Sequence, residues 1–132
     1  MSLWIKIIVG LLISTVSLAD SHHPQEFLTA IRGKKNEGAQ IVQHFCSNCH
    51  AEKPLIPLNA PSINNKEDWQ SRIQQGWLPL MQHLDEGFGA MPARGGCFEC
   101  TDEQLRLAIL ALLPEELQKR LLSADPEPKA NY

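Results

Sequence analysis

Cys46-Ser47-Asn48-Cys49-His50 places two thiols three positions apart, with an imidazole directly after the second. Thiols at this spacing can each form a thioether to a vinyl group of haem, and the adjacent histidine then lies under the iron as its proximal ligand. A thioredoxin-like redox pair shares the C-x-x-C spacing but wants a βαβ setting, and no strand pattern is present. A second pair, Cys97 and Cys100, is followed by Thr101. In an exported chain an even cysteine count suggests disulfides. Together the two pairs also outline a Cys₄ zinc site. However, 47 residues separate them, against roughly 15–20 in the usual pattern. Export also disfavours four free thiolates.

A sixth iron ligand must come from further along the chain. Met91 is well placed, in an irregular Gly/Pro segment and followed by Pro92, which stiffens the local backbone. Met81 sits in a helical stripe and reads as packing. His44, His83, His22 and His23 are further ligand candidates, each better read as a surface or hydrogen-bonded histidine. A His/Met pair raises the reduction potential and fills both axial positions, which favours electron transfer over chemistry on a substrate. No acid/base pair or activated nucleophile is evident, so the chain reads as no enzyme.

The elements that must position these groups are helical. Gly38, Ile41, Val42 and Phe45 fall on one face of a helix that ends at the Cys46 motif. Residues 51–65 carry Pro54, Pro57 and Pro61 and form a loop too apolar to be a solvated linker. Short helices follow over 66–75 and 77–86, stopped by Gly76 and Gly87. Pro79 suits the first turn of the second. Thr101 to Gln104 is a capping-box pattern. It opens an apolar helix with Leu105, Ala108, Ile109 and Leu112 on one stripe. Pro114 ends this helix or starts a further turn or two through Leu122. A short helix is also expected around 26–31, and the tail from Ala124 reads as disordered. The fold class is all-α, with four or five short helices, long loops and one covalently bound haem completing the core.

At the N-terminus Lys6 precedes an apolar run, and Ser17-Leu18-Ala19 offers small residues for signal cleavage before Asp20. The fifteen residues Trp4 to Leu18 fall short of the roughly 20 a membrane span needs. Residues 1–19 are therefore expected to be a cleavable signal peptide, with a retained anchor as the alternative. Cleavage removes one basic residue and no acidic one, so the net charge of −3 becomes −4. Such a balance lacks the Lys/Arg footprint of a nucleic-acid binder.

The chain resembles cytochrome c5, a branch of the bacterial class I cytochromes c. The resemblance runs from Gly33 to about Leu113. It includes Phe45 through His50, Ala60-Pro61, Trp69 with Arg72-Ile73, Gln75-Gly76, His83 with Gly87-Phe88, and Ala90 through Cys97 with Cys100. The Met-Pro-x-x-Gly-Gly-Cys-x-x-Cys string is its most specific part. The resemblance implies a class I cytochrome c fold over 34–113, flanked by extensions at 20–33 and 114–132. It implies Met91 as distal ligand, a Cys97–Cys100 disulfide, and Gly38 and Phe45 at the crossing of the first and last helices. It further implies a hydrogen bond from His50 Nδ1–H to the Pro61 carbonyl. Trp69 or Arg72 is where it suggests a bond to a haem propionate, with a packed tryptophan and a solvated arginine as the alternative.

The expected function is that of a periplasmic single-electron carrier with one covalent haem c, held by Cys46, Cys49, His50 and Met91. Its partners would be redox proteins that dock transiently, on a small apolar patch including Ile56 and Ala93. Neither nucleic acid nor a membrane is expected as a partner, apart from membrane-bound redox complexes or an uncleaved signal. The chain would be a monomer or weak dimer.

Overall fold

A computed structural model describes residues 23–124. The expected signal, His22 and most of the expected disordered tail lie outside these residues. Helix α1 (Pro24–Ile31) opens with proline at its first turn, where the missing N–H is not needed. Helix α2 (Glu37–Ile41) continues through a π-helical turn, Val42–Cys46, into α3 (Ser47–His50). The helix therefore does not stop at the cysteine motif but carries it. A π turn inside a helix accommodates an extra residue and often marks a functional site.

The loop 51–65 leads to α4 (Lys66–Ile73), whose Asn65 cap accepts a hydrogen bond from Asp68 N at 3.1 Å. Helix α5 (Trp77–Glu86) is bracketed by Gly76 and Gly87, both at positive φ. A tight turn at Ala93–Gly96 follows. Helix α6 (Asp102–Leu112) starts with the full capping box: Thr101 Oγ1 accepts from Gln104 N, and Gln104 Oε1 accepts from Thr101 N. Helix α7 (Glu115–Ala124) closes the described chain. Among the described residues the fold is all-α, the one extended feature being an isolated antiparallel bridge between Phe88 and Met91.

The core is built on the crossing of α2 and α6. A β-carbon at Gly38 would lie 2.2 Å from the Leu107 carbonyl oxygen. Only glycine lets the two backbones approach so closely. Ile41 and Val42 bury beside it, against Leu105, Ala108, Ile109 and Leu112. Phe45 is only half-buried and packs near Phe27 and His44, with centroids 6.4 and 4.8 Å away.

Both flanking helices join this core. Leu28 and Ile31 of α1, and Leu117 and Leu121 of α7, are buried. A polar knot holds α1 in place. The buried Gln104 amide donates to Glu37 Oε1 at 2.9 Å and to the Leu28 carbonyl at 3.1 Å, while Gly33 N donates to Glu37 Oε2 at 2.7 Å. Each buried polar atom in the knot thus has a partner, as low-polarity surroundings require.

Candidate haem-binding site

Cys46 and Cys49 are half-buried free thiols on the helical segment that ends with His50. Burial, followed by the charge of Cys49, pushes the Cys46 thiol up to about 11. At neutral pH the free thiol is therefore protonated. The His50 ring is buried at 7% exposure and lies over Trp69, centroids 6.1 Å apart. Its Nδ1 is 2.7 Å from the Pro61 carbonyl. A carbonyl only accepts, so this bond places the proton on Nδ1 and leaves the Nε2 lone pair for a metal.

The apolar loop is strapped to the motif. Ile56 N donates to the Asn48 carbonyl at 2.9 Å, and Ile63 N to the His50 carbonyl at 2.6 Å. These bonds deliver Pro61 to the histidine although the loop is long and proline-rich. The Trp69 indole N–H donates to the Ser62 carbonyl at 2.8 Å. The Arg72 guanidinium turns back onto the Asp68 carbonyl of its own helix.

Met91 is half-buried in the segment after α5. Its backbone N–H and carbonyl pair with Phe88, at 2.9 and 3.1 Å. Gly87, at φ +86°, makes this return possible, because a β-carbon there would lie 2.7 Å from the Met91 carbonyl oxygen. The turn 93–96 packs against both α5 and the π-helical turn that ends at Cys46. The turn before the C-x-x-C-H helix end and the turn after Met91 are thus neighbours. Cys97 and Cys100 are joined in a buried disulfide immediately beyond.

The two Cys-x-x-Cys pairs do not assemble a common metal centre. Among the described residues no three His, Cys, Asp or Glu side chains converge as a metal would require. His44 stacks on Phe27 with centroids 4.5 Å apart, and His83 lies 4.6 Å from Phe88. Met81 packs against the core, as its helical spacing implied. The donor set, two free thiols followed by an oriented imidazole, fits a covalently attached haem. Arg94, which bonds Asp85, Asp102 and the Cys100 carbonyl, carried no role in the sequence reading. Its only sequence signal is a charged residue between Pro92 and Gly95-Gly96.

An all-α fold with this motif and this histidine geometry belongs to the class of c-type cytochromes. A family model described as cytochrome C oxidase, cbb3-type, subunit III, matches residues 33–110. The chain is 33% identical to cytochrome c5 of Azotobacter vinelandii over 79 residues, covering 58% of this chain and 92% of that protein. It is also 33% identical to cytochrome c5 of Ectopseudomonas mendocina over 79 residues, 58% of this chain and 87% of that one. Cytochrome c-555 of Chlorobaculum tepidum is 34% identical over 76 residues, 54% of this chain and 68% of that one. No solved structure gives a significant match. The chain belongs to the cytochrome c family and is c5-like. It is accordingly a haem-containing electron carrier.

Proposed function

We propose that this chain is a periplasmic single-electron carrier holding one haem c through thioethers to Cys46 and Cys49, with His50 and Met91 as axial ligands. When bound, the haem supplies a one-electron iron couple. The observation that carries the reading is the hydrogen bond from His50 Nδ1–H to the Pro61 carbonyl at 2.7 Å. It fixes the ring and the tautomer, and it raises the basicity of Nε2. Met91 offers a thioether, which favours the ferrous state, from a segment whose backbone is pinned at Phe88. With His50 and Met91 both holding the iron, the site would favour electron transfer over oxygen or peroxide chemistry.

Residues 1–19 are proposed as the cleaved export signal and 34–113 as the haem domain, with 20–33 and 114–132 as flanking extensions. The buried leucines of α1 and α7 extend the packed unit into both flanks. Among the described residues no helix is long and apolar enough to cross a membrane. Docking of redox partners would use apolar surface such as Ile56, which is 47% exposed, and Ala93, which is half-buried.

Mass spectrometry of protein from an exporting cell should show one haem of added mass and a start at Asp20. The oxidised protein should show the sulfur-to-iron charge-transfer band, and Met91→Ala should abolish it. A band that survives in that variant overturns the ligand assignment, and rapid carbon monoxide binding by the reduced native protein overturns the filled-site reading. The family model's own description favours one second reading, a cytochrome subunit of a larger oxidoreductase. Co-purification with membrane oxidase subunits after mild detergent extraction would support that reading over a diffusible carrier.

A further inference from the structure

Arg94 lies three positions after Met91 and adopts φ +55°, a left-handed conformation that L-residues rarely take. Its neighbours Gly95 and Gly96 are also left-handed, at +59° and +84°. Glycine would satisfy such a backbone more easily, so a long charged side chain here calls for a reason in its contacts.

Those contacts reach three separate pieces of the fold. One guanidinium nitrogen donates to Asp85, in the last turn of α5. The other donates to Asp102, which opens α6, at 3.0 Å, and to the Cys100 carbonyl at 2.7 Å. The guanidinium is largely covered, with its side chain 20% exposed, whereas Asp85 and Asp102 are 59% and 78% exposed. Burial pulls the Arg94 pKa down, but hydrogen bonds and charge from Asp102 and Asp85 outweigh it and raise it above its ordinary value. The two ion pairs alone, being exposed on the acid side, add little stability. Their geometry matters more, because a rigid planar fork holds several donors in fixed directions toward three elements at once, whereas an ammonium is a flexible point charge.

The turn so tied lies against the methionine. A β-carbon at Gly95 would sit 3.6 Å from Met91 Cε and 3.8 Å from Leu84 Cδ1. The turn is closed by Gly95 N to the Pro92 carbonyl and Cys97 N to the Arg94 carbonyl, both 3.0 Å. We infer that Arg94 is a positioning residue for the Met91 thioether, clamping the turn behind it to the end of α5, the disulfide and the start of α6. This rests on the His50/Met91 reading above and goes beyond it, because it assigns control of the iron–sulfur bond to a residue that touches neither atom.

The test uses haem-loaded protein from an exporting cell, and imidazole as a competing iron ligand. In Arg94→Gln the imidazole concentration that half-replaces the sulfur should fall about tenfold, the loss expected for one charged hydrogen-bonded anchor. The charge-transfer band should weaken and the reduction potential should drop, and Arg94→Lys should recover part of each. An unchanged imidazole midpoint and potential in Arg94→Gln overturns the inference, whatever the variant's thermal stability. If Arg94→Gln fails to mature, Asp85→Asn combined with Asp102→Asn should shift the same quantities in the same direction, and no shift there overturns it equally. A native protein without the band, or a band retained in Met91→Ala, refutes the ligand reading and this inference with it. A native band that Met91→Ala abolishes but Arg94→Gln leaves untouched refutes the role of Arg94 alone.

Discussion

Cys46–Cys49 and Cys97–Cys100 have the same spacing and different outcomes. The second pair lies in a turn, its Cα atoms 5.4 Å apart, and is joined. The first lies on helical backbone with both thiols free, and the histidine that follows is held by a carbonyl from a loop. Burial and Cys49 raise the Cys46 thiol from the ordinary 9.0 to about 11. A thiol pKa raised by folding contributes stability that is fully present below about 9 and lost as pH rises through about 11. The haem-free chain should therefore lose on the order of 2 kcal/mol over that interval in denaturant titrations. If the haem is attached through Cys46, the loaded protein, whose sulfur would then be a thioether, should show no such loss. Equal pH dependence in both forms would refute the assignment to Cys46.

At the scale of elements, the crossing of α2 and α6 is set by Gly38. Alanine there gains roughly 1 kcal/mol of helix propensity, but its β-carbon would overlap the Leu107 carbonyl, which is backbone and cannot swing away. The helices would have to separate, at a cost of about 1–3 kcal/mol. Gly38→Ala should lower the midpoint of chemical denaturation despite its better propensity, and a stabilised variant would contradict the crossing. The periodic stripe identified Ile41 and Val42 correctly as core. It placed Phe45 with them because periodicity assumes an unbroken 3.6-residue repeat. The π turn at Val42–Cys46 departs from that repeat, and Phe45 packs half-buried at the edge of the core beside Phe27. A single-sequence period cannot register such a turn, which is selected by what packs on either side of it.

At the scale of the whole molecule, the parts at either end belong to the same packed unit. Leu117 of α7 is fully buried, and Lys66 pairs with Glu116 at 2.8 Å on the adjoining surface. The exposed pair is worth little, whereas truncating Leu117 to alanine should cost about 2–5 kcal/mol. Denaturation of the haem-loaded Leu117→Ala protein would read this directly. A cost near zero would mean that α7 only lies on the surface.

The C-x-x-C-H motif, the capping box at Thr101–Gln104, the glycine stops around α5 and the methionine before Pro92 were all legible in the sequence. Each rests on local chemistry: a bond geometry, an orphan N–H, a positive φ or a fixed proline angle. The all-α class followed from the same local signals. Only the tertiary structure decided that Pro61 reaches His50, that Trp69 bonds Ser62, that Glu37 and Gln104 tie α1 to α6, and that Arg94 ties three elements behind Met91. These are contacts between residues whose approach depends on how whole helices and loops pack. A chain read one window at a time carries the donors and acceptors, but not which of them will meet.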